Sequence, residues 1–332
     1  MGPELMGTGL RNHPIGRCLP EVQLPRLEGM LQLHSINRSY GDHQVLHDVG
    51  FSAGRGRLTG FVGGNGAGKT TTMRIILGVL NADSGTVVLD GEPVDAGSRR
   101  RFGYMPEERG LYPKMSVLSQ VSYLARLHGF DREVAAERAE RLLERLGLAE
   151  RRNDPLQSLS LGNQQRVQIA AALVHGPDVL VLDEPFSGLD PMAVDVVLDV
   201  LTEQARNGAI VLFSSHQLDV VERLCDDIVI IGKGRILASG ETEGLREQHG
   251  TRRYELLSDA DLGWVREQPG VQTDDFEAGR VIFRSEEPIA QQILSRAVQQ
   301  GAVERFSPIL PSLSEIFKGM SAYAAEGEDT PR

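Results

Sequence analysis

The sequence predicts an α/β protein with a mainly parallel sheet, followed by a small α+β unit. Largely apolar runs of strand length occur at 179–182 (VLVL), 209–214 (AIVLFS) and 227–232 (DIVIIG), and helix-length segments separate them. This alternation of strand and helix is typical of a parallel sheet. A further apolar strand, LTGFV at 58–62, runs directly into a glycine-rich loop and then into a predicted helix.

Helical patterns dominate the middle of the predicted α/β unit. Two predicted strands precede them in the chain. LQLHSI (31–36) alternates and is expected at a sheet edge, and RFGYM (101–105) lies closer to the helices. Helices are predicted at 116–129, at 131–148 and from about Asn163 to His175. The second of these interleaves Glu and Arg on one face, as a solvated amphipathic helix does. Its predicted apolar face comprises Val134, Ala139, Leu142, Leu143 and Leu146.

The chain divides into four predicted segments. Residues 1–29, with scattered Pro, Gly and Arg, are expected to form a flexible N-terminal extension. The α/β domain is predicted at 30–248, with a helical subdomain at about 107–175. From 249 to 322, the strands RRYELL and RVIFRS and the helices PIAQQILSRAVQQ and PSLSEIFKGM predict a small α+β domain with an accessory or regulatory role. The polar residues 323–332 predict a disordered tail.

Composition and charge argue against several classes of protein. The formal net charge of -11 disfavours nucleic acid as a partner, so none is expected. The two cysteines, Cys18 and Cys225, have neither metal-site spacing nor the number for a disulfide framework, which fits a reducing cytoplasm. No run in the sequence approaches the ~18–20 apolar residues of a membrane-spanning helix. For a function at a membrane, we expect another chain to supply the span.

The stretch GGNGAGKTT at 63–71 predicts a phosphate-binding loop. It satisfies G-x-x-x-x-G-K-[ST] between a predicted strand and a predicted helix, which is the context that this motif requires. Glycines allow successive backbone N–H groups to face an anion, and the helix N-terminus adds its positive dipole end. Lys69 would contact the β- and γ-phosphates, and the Thr70 hydroxyl would be a Mg²⁺ ligand. The predicted nucleotide contacts are Gly63, Gly64, Asn65, Gly66, Ala67, Gly68, Lys69, Thr70 and Thr71.

Two acidic residues end the buried strand VLVL. Asp183 and Glu184 follow it directly, so they lie at the carboxyl end of a strand, where ligands of open α/β sheets bind. Beside a phosphate-binding loop, Asp183 is predicted to hold Mg²⁺ through water. Glu184 is predicted to orient and polarise the attacking water as a general base.

These residues and three further strings resemble the ATP-binding subunits of ABC transporters. SLSLGNQQRVQIAAAL at 158–173 is similar to the ABC signature, which other P-loop families lack. DEPFSGLDP at 183–191 and SSH at 214–216 follow in the family's order and spacing. The resemblance spans roughly residues 31–248. It implies a P-loop NTPase fold of the ABC type that binds ATP and Mg²⁺.

The resemblance also implies roles for residues outside the loop. In the family, the signature closes on the γ-phosphate held by a second copy, so Ser160 and Gly162 would bind ATP across a head-to-tail homodimer. His216 is similar to the switch histidine that contacts the γ-phosphate and the water-positioning glutamate. Asp190 resembles the acid that communicates across the dimer, and Tyr40 resembles the aromatic residue that stacks on adenine.

Some positions depart from the family pattern. Glu107, within GYMPEERGLYP, occupies the place of a glutamine, and its carboxylate can still reach Mg²⁺ or water. Gly64 stands where the loop more often has proline, and Leu161 and Asn163 differ from the commoner signature. The strings PEERGLYP and LSLGNQQRVQ are similar to those of an exporter subgroup that includes sodium-extrusion and drug-efflux ATPases.

The resemblance thus implies an ATP-hydrolysing subunit that powers export through a separate polytopic membrane subunit. Such a protein would be cytoplasmic and peripheral on the cytoplasmic face of the cell membrane. The alternative is a non-transport ABC ATPase that acts on ribosomes or nucleic acid. Ribosomal members generally carry two cassettes in one chain and DNA-repair members carry a long coiled-coil insertion, and this sequence shows neither. The signature string disfavours a P-loop kinase or GTPase of another family.

Overall fold

The computed structural model describes residues 29–108, 110–249 and 252–316. The predicted N-terminal extension up to residue 28, the predicted tail and the end of the helix PSLSEIFKGM lie outside the described residues. In chain order, the strands are β1 (Met30–Tyr40), β2 (His43–Gly54), β3 (Leu58–Val62), β4 (Ser84–Leu89), β5 (Glu92–Pro93), β6 (Phe102–Met105), β7 (Val179–Asp183), β8 (Ile210–Ser215), β9 (Asp227–Gly232), β10 (Arg235–Glu241), β11 (Arg253–Ser258), β12 (Gln272–Glu277), β13 (Arg280–Arg284) and β14 (Val303–Ile309). The α-helices are α1 (Lys69–Ile76), α2 (Val117–Leu127), α3 (Arg132–Arg145), α4 (Leu161–Leu173), α5 (Pro191–Arg206), α6 (Leu218–Leu224), α7 (Thr242–His249) and α8 (Glu287–Gln300).

A six-stranded sheet forms the centre of the α/β part, in the order β10-β9-β3-β8-β7-β6. Strands β3, β6, β7, β8 and β9 pair in parallel, and β10 pairs antiparallel with β9. Every residue of β3, β7 and β8 is buried. Helices cover both faces of a parallel sheet, so its inner strands read as continuous apolar runs. The predicted α/β class with a mainly parallel sheet is therefore confirmed.

A second sheet, in the order β2-β1-β4-β5, is antiparallel. Its strand β1 pairs with both β2 and β4, so the prediction that residues 31–36 form an edge strand is wrong. The alternation in LQLHSI has another cause. Leu31, Leu33 and Ile36 point into a buried cluster that includes Phe61 of β3, while the intervening residues stay partly exposed.

Helices α2, α3 and α4 form the predicted helical segment, and α2 packs against both of the others. On α3 the buried stripe contains Ala139, Leu142 and Leu143, as predicted, together with Ala135. Val134 is 43% exposed, so its predicted place in the apolar face is wrong. Residues 135, 139 and 142 follow the four-then-three spacing of one helix face, and residue 134 lies about 100° away from it.

The C-terminal part folds as the predicted small α+β unit. Its four-stranded antiparallel sheet has the order β12-β13-β11-β14. Leu256 and Phe283 from the sheet and Ile293 from α8 belong to one buried cluster, separate from those of the α/β part. The predicted strands RRYELL and RVIFRS correspond to β11 and β13, whereas β12 and β14 carry no clear alternation and were not predicted. None of the helices in the described ranges combines the length and apolar character that crossing a bilayer requires.

Two histidines join the helical segment to the parallel sheet. His128 follows α2 and His175 follows α4, and their rings stack with centroids 3.8 Å apart. The Nε2 atom of His175 lies 3.2 Å from the carbonyl oxygen of Phe102 in β6. Burial, reinforced by the nearby His128 and Arg138, lowers the pKa of His175 to about 4. The folded protein therefore holds this imidazole in its neutral form at ordinary pH.

We expect His175 to make the protein less stable in mild acid. Because its folded pKa lies below the unfolded value, the unfolded state binds more protons as the pH falls from about 6.5 towards 4. The free energy of unfolding should fall over that window by on the order of 1–2 kcal/mol through this group, once solvent screening is allowed for. His175→Phe, which keeps a ring but does not titrate, should show a shallower decline in urea titrations. Identical pH slopes for the two proteins would refute this account.

Candidate functional site

The loop at 63–71 connects β3 to α1, and its geometry requires glycine at two positions. A Cβ on Gly63 would lie 2.4 Å from the carbonyl oxygen of Ile231 in β9. Gly68, which precedes α1, has a φ of 104°, in the left-handed region that favours glycine. The loop therefore packs closely on the sheet and leads directly into a helix N-terminus, where backbone N–H groups and the helix dipole favour an anion.

Lys69 lies against this loop, and only 9% of the residue is exposed. Its Nζ atom donates hydrogen bonds to the carbonyl oxygens of Gly63 (2.7 Å) and Gly64 (3.3 Å). Neutral carbonyls are weaker partners for an ammonium group than charged oxygens are. A phosphate placed in the adjacent cavity would therefore be a stronger partner for Lys69 than these carbonyls.

Oxygen atoms from three elements converge at the carboxyl end of β7. The Thr70 hydroxyl donates to Oδ2 of Asp183 at 3.0 Å, and the Ser214 hydroxyl donates to Oδ1 of the same carboxylate. A hydroxyl beside a carboxylate is a donor set that suits Mg²⁺, which prefers oxygen ligands. The residues present therefore fit the metal that the sequence predicted at Thr70 and Asp183.

The backbone of Glu184 is held in an uncommon conformation. Its φ is 53°, which a residue with a side chain adopts only at a cost. Ser214 accepts a hydrogen bond from the Glu184 N–H at 3.0 Å, and Nε2 of Gln165 donates to the Glu184 carbonyl oxygen at 3.0 Å. Oε1 of Glu184 lies 3.0 Å from Nδ1 of His216. Both backbone groups and the carboxylate of Glu184 are thus fixed by neighbouring elements.

Burial raises the pKa of Glu184 above its ordinary value, and the contact with His216 opposes that shift. A carboxylate with a raised pKa accepts a proton more readily than an exposed one does. The strain and the raised pKa occur together at one residue, which is the pattern that active sites show.

One large cavity, of about 1330 Å³, contains most of the predicted site residues. Its volume is sufficient for a nucleotide, and its wall includes both the glycine-rich loop and the acidic side chains of Glu107, Asp183 and Glu184. The predicted residues on its wall are Gly64, Asn65, Gly66, Ala67, Gly68, Lys69, Thr70, Thr71, Glu107, Asp183, Glu184 and His216.

Five predicted residues lie away from the cavity lining, and one of them is Gly63, which packs against β9. Ser160 caps the N-terminus of α4 by accepting a hydrogen bond from the Asn163 N–H, and Asp190 caps α5 in the same way. Gly162 lies close to the loop that precedes α5, since a Cβ on it would be 3.2 Å from the carbonyl oxygen of Gly188. Tyr40 ends β1, is 48% exposed and stacks under the guanidinium of Arg38.

Several residues of the site were not predicted from the sequence. Ser214 and Gln165 hold Glu184, and the signal for both was their place in strings that already matched the motifs. His47 and Arg235 also line the cavity, from the β2 and β10 side. No local pattern marks these two, because their strands reach the cavity only through the pairing of β9 with β10 and the approach of β2.

Comparisons with known proteins agree with this geometry. The sequence family described as "ABC transporter" matches residues 46–187, and "ATP-binding protein DrrA1-3-like, C-terminal domain" matches residues 240–320. The ABC transporter ATP-binding protein YhaQ of Bacillus subtilis is 36% identical over 289 residues, which cover 87% of this chain and 97% of YhaQ. The chain belongs to the ATP-binding proteins of ABC transporters.

Other members of this family show the same likeness. The Nod factor export ATP-binding protein I of Cupriavidus pinatubonensis is 35% identical over 238 residues, which cover 70% of this chain and 73% of that protein. The solved structure of CbiO1 from Clostridium perfringens, part of the ABC transporter complex CbiONQ, has a TM-score of 0.61. It is 29% identical and covers 67% of this chain and 92% of its own. The fold predicted from the resemblance, an ABC-type ATPase with an additional C-terminal unit, is confirmed.

The role of the Ser214 hydroxyl in positioning Glu184 can be tested by Ser214→Ala in this ABC ATP-binding protein. The substitution removes one partner of the Asp183 carboxylate and leaves the Glu184 N–H without its acceptor. Loss of a buried partner costs about 1–3 kcal/mol, so we expect ATP hydrolysis to slow by about tenfold or more. Phosphate release measures this, with Ser295→Ala on α8 as the matched control. Unchanged turnover in Ser214→Ala would contradict the assigned role.

Proposed function

We propose that the chain is the ATP-hydrolysing subunit of an ABC exporter, and that it acts as a homodimer with a separate polytopic membrane subunit. The observation that carries the proposal is the placement of Glu184 and His216 on the cavity that also contains Lys69, Thr70 and Asp183. A glycine-rich loop with a lysine, hydroxyl and carboxylate oxygens, and a buried glutamate thus line the same cavity, and ATP hydrolysis needs this combination of groups.

The loop and Lys69 would bind the phosphates of ATP. Backbone N–H groups of the loop and the N-terminus of α1 would face the anionic oxygens. Lys69, whose Nζ atom now donates to the carbonyl oxygens of Gly63 and Gly64, would donate to the β- and γ-phosphates instead. Thr70, Asp183 and Glu107 would hold Mg²⁺, which neutralises charge on the phosphate oxygens. The carboxylate at Glu107 adds one negative charge to this set where a glutamine would add none.

Glu184 would act as the general base of hydrolysis. A water molecule between its carboxylate and the γ-phosphate transfers a proton to Glu184 while its oxygen attacks phosphorus, and the bond to ADP breaks. Burial prepares Glu184 for this step by raising its pKa. Nδ1 of His216, as an N–H donor 3.0 Å from Oε1, would keep the carboxylate oriented towards the water.

A second copy of the chain would complete each site. Ser160 and Gly162 lie outside the cavity of their own chain, at the N-terminus of α4 and beside the loop to Asp190. Large apolar side chains are exposed next to them, with Leu161 60% and Met192 76% exposed. Exposed apolar residues around a helix N-terminus support an interface. A head-to-tail dimer would place Ser160 and Gly162 on the γ-phosphate held by the partner.

An exposed surface on the helical segment supports a membrane partner. Tyr112, Tyr123 and Leu127 are all more than 40% exposed, and Tyr112 follows the segment of Glu107. A groove of about 680 Å³ lies between Tyr112, Met115 and Tyr123. A membrane subunit that docks there would hold the chain at the cytoplasmic face of the membrane. The Nod factor export relative supports export as the direction.

Glu184→Gln tests the proposal. The amide cannot accept the proton, so hydrolysis should fall at least a hundredfold, while MgATP should bind and hold the chain as a dimer. Size-exclusion chromatography with light scattering measures the mass with MgATP and with MgADP. Glu243→Gln, an exposed glutamate on α7, is the matched control. Undiminished hydrolysis would contradict the assignment of Glu184 as the general base, and a monomer with bound MgATP would contradict the proposed homodimer.

A further inference from the structure

The segment after β14 returns to the α/β part of the molecule. Leu313 and Ile316 are almost fully buried, at 0% and 4% exposure. They belong to the same apolar cluster as Val221 and Leu224 of α6, and not to the cluster inside the C-terminal unit. The two parts of the chain are therefore joined by a buried apolar contact that includes α6.

A charged pair fixes this contact. Oε2 of Glu222, on α6, accepts a hydrogen bond from the Leu313 N–H at 3.0 Å. Oε1 of Glu222 lies 3.4 Å from Nε of Arg246 in α7, and the same Nε donates to the Pro311 carbonyl oxygen at 2.9 Å. The side chains of Glu222 and Arg246 are both about one quarter exposed or less, at 21% and 26%. Partly buried charged hydrogen bonds hold a segment more firmly than exposed ion pairs do.

Helix α6 is also the continuation of the segment that carries His216. The helix begins at Leu218, and Gln217 is its N-cap residue. The Val221 N–H donates to the Gln217 carbonyl oxygen at 3.2 Å, and the Gln217 N–H donates to the Ser215 hydroxyl at 3.0 Å. The side chain of His216 itself is 55% exposed. Its position therefore depends on the backbone of 215–217 and on the helix that follows.

We propose that Glu222 is a positioning residue, through which the segment 310–316 holds α6 and keeps His216 against Glu184. The C-terminal unit would then set the rate of ATP hydrolysis without contacting ATP. The inference rests on the roles proposed for His216 and Glu184. Glu222 acts only through His216 and is not itself placed on the reacting atoms.

A double-mutant cycle tests whether Glu222 acts through His216. Glu222→Ala should lower kcat at least fivefold and leave KM for MgATP within twofold, because the ATP cavity is not touched. In a His216→Ala background, the same substitution should lower kcat less than twofold further, since the imidazole through which Glu222 acts is already absent. Glu222→Gln, which keeps an oxygen acceptor for the Leu313 N–H, should recover most of kcat. Glu243→Ala on α7 should leave kcat unchanged.

Equal losses of kcat in the two backgrounds would overturn the inference, because Glu222 would then act independently of His216. A rise in KM for MgATP with an unchanged kcat would overturn it as well. Amide hydrogen exchange gives a readout that does not need hydrolysis. Glu222→Ala should speed exchange at 215–224 and leave 179–183 protected. A wild-type protein without ATPase activity would refute the proposed function, and unchanged exchange at 215–224 would separately refute the role of Glu222.

Discussion

The backbone of Glu184 is the constraint on which the rest of the site depends. A left-handed residue with a side chain costs of order 1–3 kcal/mol, so it persists only where neighbours hold it. Those neighbours come from two different elements, Ser214 at the end of β8 and Gln165 on α4. Strand β8 of the parallel sheet and helix α4 thus both hold the backbone that carries the Glu184 carboxylate.

The phosphate loop is held by an equally specific set of contacts. The Gly234 N–H, at the turn between β9 and β10, donates to the Ala67 carbonyl oxygen at 3.0 Å, and the Gly234 carbonyl accepts from the His47 N–H at 2.8 Å. The loop is therefore attached to both sheets of the α/β part. Attachment of this kind lowers the entropy that a glycine-rich loop would lose on binding a phosphate. The ammonium group of Lys69 is positioned by two carbonyl oxygens of the same loop.

Local patterns predicted the parallel strands and the loop, because fully buried strands are continuous apolar runs and the loop has a characteristic glycine spacing. They did not predict that β1 has two neighbours, since alternation reports which face is buried and not how many strands pair. The motif resemblance supplied Ser160, Gly162, Asp190 and Tyr40, none of which local spacing would select. The contact of Glu222 with Leu313 joins residues 91 positions apart, and no sequence pattern marks it. Features that depend on one element were thus predictable from the sequence, and contacts between two elements were not.

Substitution of Lys69 is the sharpest test of whether this cavity binds and hydrolyses ATP. The measurement is phosphate release from MgATP by the purified protein, with Lys69→Ala beside the wild type and thermal unfolding as the check on folding. We expect turnover by the wild type and a loss of at least a hundredfold in Lys69→Ala, since the substitution removes the positive charge that is proposed to contact the phosphates. Equal rates of phosphate release from the two folded proteins would contradict it.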